Sequence, residues 1–467
     1  MRSFQSYRRW DSGMRFLSFI KLFRRSRIAL ILVLLALFAA VSGRTEEPAV
    51  FAISGARIFP VSGAPLEKGT VILRNGIIEA VGANVAIPPD ARTLDGTGLT
   101  VYPGLIDGLC DAGLEEPRAP QAPGPPSARP GPPAAPAQPA QQAPAPPAAE
   151  RPLLNSHVQA ADLIIPTNRK IESARAVGIT TALVAPRTGI FEGQSSLVNL
   201  SGASVGAMVV KTPVAMHISL QSAGGFGGGY PSSLMGVVAF VKQTFLDAER
   251  YDVAWNIYNV HTGVVRPDYN HSLQALIRVL KQELPAVVPG DTPAQIQRAM
   301  ELAQSFKLKC ILSGGSEAAR IAPLLKEKGV PVLLSMKFPE RDRESDPELE
   351  EELPVLRRRV EAPVNAAALA KAGVQFAFQS GDISSPRDFM RNIARSVEAG
   401  LPKDIAMRAL TLTAAEIFGV AGKLGSIEKG KTANLTIATG DIFDSRTRVK
   451  YVFIDGKKYD ITEPEPE

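Results

Sequence analysis

Two aspartates that follow apolar runs are the residues of this chain best placed to do chemistry. Asp111 ends the string YPGLIDGLCD at 102–111, and Asp382 ends the string FAFQSGD at 376–382. If the two carboxyl groups meet, one could be held protonated by the charge of the other and act as an acid, or both could bind a hard cation such as Mg²⁺ or Ca²⁺. Two carboxylates fall short of the roughly six to eight oxygens that such a cation takes, so a structural role with backbone or arginine partners is favoured.

The histidines of the chain do not cluster in the sequence. They are His157, His217, His261 and His271. His217 lies in the apolar run VAMHISL, where alternation along a strand could point it into the core. A lone histidine in such a run is more often a hydrogen-bonded core residue than a ligand or a catalyst.

Short β-type runs near both ends of the chain predict a small domain assembled from two separate segments. In the first segment, two such runs are split by Asn75-Gly76, which is a strong hairpin signal. Similar runs return near the end of the chain. We therefore expect a small β-sandwich-like domain formed by residues 49–100 and 419–465.

Between these segments, β-rich and helical strings alternate, as in the helical string 293–306 before the β-type string 309–312. Such alternation predicts βα units and a parallel barrel over residues 101–418. One stretch of this region, 117–152, is rich in Pro, Ala and Gln and has almost no large apolar side chain. Its composition predicts a disordered insertion, because it cannot bury enough surface to offset the entropy of ordering.

Several motifs resemble the amidohydrolase superfamily. They are the frame PGLID at 103–107, the opening run at 51–82, the string GITTALVAPRTGIFEGQSSLVNLSG at 178–202, and the stretch from SGD at 380–382 to NLTIA at 434–438. The string at 178–202 is similar to the imidazolonepropionase-like branch. The resemblance implies an α/β fold, a distorted TIM (β/α)8 barrel with the small β-domain clasping it.

The resemblance also implies a divalent metal, zinc or another, held by histidines and by an aspartate after the eighth strand that serves as general base. In this chain the matching positions hold, in order, Leu109, Asp111, Pro289, Gly314 and Asp382. A register slip of one residue would replace Gly314 by Ser313. Because no histidine stands at any of these positions, no metal and no other cofactor is predicted.

The resulting interpretation is a catalytically degenerate amidohydrolase-family protein, with a homo-oligomer or a hetero-oligomer containing an active paralogue as the expected assembly. Two alternatives stay open. The first is a hydrolase that cleaves a C–N bond of a cyclic amide or related small molecule with Asp382 as base and without the family metal. The second is a module that binds a small ligand.

The net charge of +6 comes from the N-terminus, since the first 27 residues hold eight Arg or Lys against one Asp. The rest of the chain is close to neutral, so no nucleic-acid partner is expected. The apolar run at 28–41 is short for a bilayer span of ~20 residues, which favours a cleaved signal peptide at 1–43 over a membrane anchor through 28–41. The protein is expected to be exported, to the periplasm or the cell envelope, and to contact a membrane only through this segment.

The two cysteines, Cys110 and Cys310, are predicted to be free, buried thiols. By strand alternation, Cys110 points away from the barrel axis. Cys310 shares its parity with Leu312 and Gly314, which are expected to face inward.

Overall fold

A computed structural model describes residues 50–114, 153–202, 204–221, 230–341, 350–381, 383 and 385–461. The predicted signal peptide at 1–43, the predicted insertion at 117–152 and Asp382 lie outside these residues. None of the described helices is both long and apolar enough to span a bilayer.

The described residues form eighteen strands. In chain order they are β1 Phe51–Ile58, β2 Leu66–Arg74, β3 Ile77–Gly82, β4 Arg92–Asp95, β5 Thr100–Pro103, β6 Leu105–Cys110, β7 Ile179–Val184, β8 Phe191–Gln194, β9 Ser196–Asn199, β10 Val209–Lys211, β11 Met216–Ile218, β12 Ala286–Gly290, β13 Cys310–Gly314, β14 Val332–Ser335, β15 Phe376–Gln379, β16 Leu435–Ala438, β17 Val449–Ile454 and β18 Lys457–Asp460.

The same residues form ten α-helices and two short 3-10 helices. The α-helices are α1 Arg169–Ala176, α2 Val205–Met208, α3 Leu234–Val260, α4 His271–Leu280, α5 Pro293–Ser305, α6 Ala322–Lys328, α7 Leu353–Ala372, α8 Pro386–Glu398, α9 Lys403–Ala409 and α10 Leu412–Ile417, and the 3-10 helices are Ala160–Leu163 and Ala318–Ile321.

One eight-stranded sheet unites the two ends of the described chain. Its order is β18-β17-β16-β5-β1-β2-β3, with β4 beside β1. Asn75 and Gly76 join β2 to β3 with φ values of 52° and 77°, the left-handed pair that a two-residue hairpin turn requires. Strand β5 leads through Pro103 directly into β6, so this sheet fixes the start of the first barrel strand.

The barrel strands form two sheets, β10-β9-β7-β6 and β15-β14-β13-β12-β11-β8. The sheets meet on one side where the N–H of Gly381 donates to the carbonyl of Leu109 at 2.9 Å. On the other side, the N–H of Ser195 donates to the carbonyl of Ala215 at 2.8 Å. Strands β8 and β9 run antiparallel to β11 and β7, so one wall of the barrel departs from the parallel pattern that the sequence predicts.

Alternate strand residues pack on opposite faces of the barrel wall. One set forms a compact apolar cluster inside the barrel, here called the inner cluster: Ile106, Leu183, Leu197, Val214, Ala215, Val287, Ile311, Leu333 and Ala377, closed by Ala414, Ala415, Phe418, Val420 and Leu424 in and after α10. The other set packs against the surrounding helices and forms the outer cluster. The lower part of the barrel is therefore a packed core rather than a channel.

The clusters correct the predicted parity of β13. Ile311 belongs to the inner cluster and Leu312 to the outer cluster, which is the reverse of the expectation. Cys310, partly buried, packs on the outer cluster, which also contains Cys110. Both cysteines are free. Because side chains alternate along a strand, Ser313 rather than Gly314 faces the barrel interior.

Candidate functional site at the barrel mouth

The mouth of the barrel is lined by the strand residues one layer above the inner cluster. Four strands each contribute one residue to the inner cluster: Val287, Ile311, Leu333 and Ala377. Because side chains alternate along a strand, the residues two positions later also face inward: Pro289, Ser313, Ser335 and Gln379. The strand register aligns Pro289 with Ser313 and Ser335 with Gln379. The hydroxyl of Ser313 donates to Oε1 of Gln379 at 3.2 Å. This part of the mouth is therefore hydrogen-bonded but offers no imidazole or carboxylate.

The first barrel strand contributes Leu109, which packs against the inner cluster. The strand register is irregular between Asp107 and Cys110, and Oδ1 of Asp107 accepts the N–H groups of Leu109 at 3.2 Å and Ser380 at 2.9 Å. Asp107 is 2% exposed, and burial raises the pKa of its carboxyl to about 6. The carboxyl thus joins β6 to the end of β15, next to a leucine where the resemblance implies a metal-binding histidine.

Asp111 directly follows this strand in the chain and pairs with a lysine. Nζ of Lys170, in the first turn of α1, is 2.8 Å from Oδ2 of Asp111, and both side chains are partly exposed. The acid is therefore satisfied by a lysine, where the sequence suggested backbone or arginine partners. The predicted pairing of Asp111 with Asp382 involves a residue outside the described part of the chain.

The two later positions also lack ligand atoms. Pro289 has none by its chemistry. Gly314 has φ of 103°, and a Cβ built there would lie 2.7 Å from Oδ1 of Asp291. That oxygen already accepts from the hydroxyl of Ser316 at 2.6 Å. Gly314 is therefore a turn position at the strand end, and the inward side chain of this strand is Ser313.

His217, which the sequence favours as a hydrogen-bonded core residue, faces the barrel interior. It is aligned with Val287 of the inner cluster and follows Ala215 of the same cluster by two residues. The ring is 3% exposed, and no described residue forms a hydrogen bond with its Nε2. Burial, with the nearby charge of Arg187, lowers the pKa of His217 to about 3, so the imidazole is neutral at physiological pH.

Glu192 is a partly buried acid that the sequence does not single out. It occupies a bulge in β8, where Phe191 aligns with Ile218 and Gly193 aligns with His217. Because Phe191 packs on the outer cluster, Glu192 projects from the inner face beside His217. Burial raises the pKa of its carboxyl to about 7 against the opposing effect of Arg187, and no described residue donates a hydrogen bond to it. A single acid in the otherwise apolar string GIFEGQ was the available signal.

Arg187 lies above these two side chains, in the loop between β7 and β8. Its Nη2 donates to the carbonyl of Gly381 at 3.2 Å, so the side chain reaches the end of β15. Its positive charge opposes protonation of both Glu192 and His217. The mouth thus holds a cation, a partly buried carboxyl and a buried neutral imidazole.

Comparison with known proteins supports the architecture. A family model described as the amidohydrolase family matches residues 297–459. A solved amidohydrolase from Thermotoga maritima MSB8 is 26% identical and has a TM-score of 0.71, covering 87% of this chain and 99% of its own. The chain belongs to the amidohydrolase superfamily. A comparison with curated proteins finds no match.

More distant superfamily structures show the fold alone. A prolidase complexed with N-methylphosphonate-L-proline is 16% identical with a TM-score of 0.51, covering 88% of this chain and 100% of its own. A second amidohydrolase is 14% identical with a TM-score of 0.53, covering 88% of this chain and 99% of its own. The fold is accordingly the distorted TIM barrel of the superfamily. The imidazolonepropionase-like branch inferred from the sequence is consistent with these matches.

The donor set at the mouth does not fit the divalent metal of the superfamily. Leu109, Pro289 and Ser313 present no metal ligand of the histidine type, and Asp111 is held by Lys170. Within the described ranges, no three His, Cys, Asp or Glu side chains are grouped closely enough to hold a metal ion. Three protein ligands are the usual minimum for a catalytic zinc ion.

Proposed function

We propose that this amidohydrolase-superfamily protein is catalytically degenerate. In this proposal the chain keeps the barrel but lacks the metal site with which the family hydrolyses C–N bonds. The observation that carries the proposal is the packing of Leu109 on the inner cluster, at the position where the first strand should supply a histidine. A bound metal with its water would need polar ligands at that point, and the apolar contact supplies none.

An activity assay tests this proposal. Purified protein would be supplied with Zn²⁺ or Mn²⁺ and assayed against a panel of cyclic amides and N-acyl amino acids, beside an Asp382→Asn variant. We expect the wild type and the variant to give the same rate as buffer containing the metal. Turnover by the wild type that disappears in Asp382→Asn would show that the chain is an active hydrolase.

We extend the proposal to location and assembly. The basic N-terminal stretch and the apolar run at 28–41 support export to the periplasm or the cell envelope. We infer the assembly with an active paralogue from the proposed loss of activity in a chain that keeps the scaffold. Cell fractionation, followed by purification of the tagged chain under native conditions, would test both statements.

A small-ligand-binding role is the second candidate, and the pair of Glu192 and His217 favours it. Nε2 of His217 is buried and has no partner among the described residues. Leaving such an atom unpaired costs about 1–3 kcal/mol, so it calls for a partner. A bound small molecule at the mouth would supply hydrogen bonds to both side chains. A thermal-shift screen would test this role: a true ligand should raise the melting temperature of the wild type but not of His217→Leu. The matched control is His261→Leu, an exposed histidine at the end of α3, which should leave the ligand-induced shift unchanged.

A further inference from the structure

A groove on the outside of the barrel lies between helices α3 and α4. It has a volume of about 310 Å³ and is lined on one side by Tyr251 of α3 and on the other by Leu273 of α4. Leu154 lies at one end, and Pro267 belongs to the connection between the two helices. The groove lies outside the barrel wall, because α3 and α4 pack on the outer cluster.

An aromatic surface continues this groove. The ring of Trp255 lies 6.1 Å from that of Tyr251, 5.8 Å from that of Tyr258 and 6.4 Å from that of Tyr269. Tyr269 in turn contacts His271 at 4.7 Å. Tyr269 is 55% exposed. We name the groove and these rings the aromatic groove. The guanidinium of Arg266 lies 5.6 Å over the ring of Trp255.

The segment at 117–152 has a periodicity that matches such a surface. It contains fourteen prolines in 36 residues. Eight of them recur at every third position, in two runs: Pro117, Pro120, Pro123 and Pro126, then Pro130, Pro133, Pro136 and Pro139. A polyproline II helix has three residues per turn, so each run places its prolines along one edge. Aromatic-lined grooves bind such proline edges at low entropic cost, since the extended conformation is preformed.

The described chain that directly follows this segment is anchored at the groove. The described chain resumes at Leu153, and the carbonyl of Leu154 accepts the hydroxyl hydrogen of Ser272, in the first turn of α4, at 3.1 Å. The hydroxyl of Ser156 donates to the carbonyl of Ser272 at 2.7 Å. At ~3.1 Å per residue, the fourteen residues from Pro139 to Leu153 can span up to ~43 Å. A tether of this length would allow the proline runs to reach the groove, at an effective concentration on the order of millimolar.

We propose that the proline-rich segment of this chain docks in its own aromatic groove as a polyproline II helix. The proline edge of each run packs on the rings of Trp255 and Tyr269. The backbone carbonyls of such a helix form no internal hydrogen bonds. Nε1 of Trp255 is an enclosed donor that has no acceptor among the described residues. The guanidinium of Arg266 lies 5.6 Å over the Trp255 ring. Once this guanidinium moves aside, a backbone carbonyl of the docked helix would accept the hydrogen bond from Nε1.

Tryptophan fluorescence tests this docking directly. The chain has only two tryptophans, Trp10 and Trp255, so a Trp10→Phe background makes Trp255 the sole reporter. We expect deletion of 118–150 to shift the emission to longer wavelength and to raise quenching by acrylamide. A synthetic peptide of residues 117–140 added to the deleted chain should reverse both changes. Tyr269→Ala in the deleted chain should weaken the binding of that peptide by about tenfold, or ~1.4 kcal/mol.

Matched controls make the outcome decisive. Tyr230→Ala removes an exposed tyrosine that lies before the start of α3 and should leave peptide binding unchanged. A peptide of the same composition with its prolines moved off the three-residue spacing should not bind. The proposal is overturned by unchanged Trp255 fluorescence on deletion, by equal binding of the reordered peptide, or by protection of Trp255 that depends on protein concentration, which would identify a second copy as the occupant.

Discussion

At the scale of single residues, Asp107 shows how a polar side chain can hold the barrel together rather than catalyse. Its carboxyl accepts backbone N–H groups from β6 and from the residue after β15, so it joins the first and last strands of the ring. Burial of the Asp107 carboxyl also disfavours its ionised form. The stability of the protein should therefore depend on the ionisation of this one side chain.

Replacing Asp107 by Asn should make that dependence visible. Burial raises the folded-state pKa from 3.8 to about 6, so the folded state holds the proton more tightly than the unfolded state does. The resulting stabilisation is present below about pH 4 and is lost as the pH rises through 6, a loss of about 3 kcal/mol. Asp107→Asn cannot ionise, so its melting temperature relative to wild type should rise between pH 4 and pH 8. A difference that stays constant across this range would contradict the assignment.

Histidine substitutions at Ser313 and Gly314 should separate the two possible registers of β13. Gly314→His should destabilise the protein by roughly 1–3 kcal/mol, because a side chain there meets Asp291 and the φ of 103° is strained for any residue but glycine. Ser313→His should be tolerated, since that position opens into the mouth. Urea denaturation of the two variants measures the difference. A Ser313→His variant that is less stable than Gly314→His would show that the strand is shifted by one residue.

The sequence alone does not determine which side chains of β8 and β13 face the barrel interior. A shift of one residue exchanges the two faces of a strand, and a bulge makes such a shift without any change in the hydrophobic pattern. For this reason the sequence predicts the wrong parity for β13 and does not indicate the inward projection of Glu192, which precedes the positive φ of Gly193. In contrast, the motif at 103–107 and the later family motifs are enough to show from the sequence that no histidine stands at the family's ligand positions.

At the scale of elements, the sequence predicts features that depend on local pattern better than it predicts which strands pair. The Asn75-Gly76 hairpin and the alternation of β-type and helical strings appear in the structure as the sequence indicates. The antiparallel course of β8 and β9 does not follow from local pattern, because it depends on which distant strands they pair with. The barrel is distorted for that reason.

Deletion of residues 118–150 should change the melting temperature by less than about 3 °C. The segment has almost no large apolar side chain, so docking along the aromatic groove buries little surface and contributes little free energy. Differential scanning calorimetry of the intact and deleted chains would measure this, with the Trp10→Phe background kept in both. A fall of many degrees would mean that the segment is part of the barrel core.

At the scale of the whole molecule, the protein combines an amidohydrolase-superfamily barrel with a mouth whose polar groups differ from the metal site of that superfamily. The sequence predicted the α/β barrel, and the superfamily comparisons confirm it. Fold alone does not set function, since function depends on the side chains at the site. The central claim is therefore that the divalent metal site is lost.

Elemental analysis of the purified protein tests that claim most directly. The chain would be purified without chelators, incubated with excess Zn²⁺, Fe²⁺ or Mn²⁺, and desalted before metal is counted per chain, beside a Leu109→His, Ser313→His double variant as a gain-of-ligand control. We predict well below one metal per wild-type chain, and higher zinc retention by the double variant, because added imidazoles raise the affinity of the mouth for zinc. About one tightly bound transition metal per wild-type chain would contradict the account.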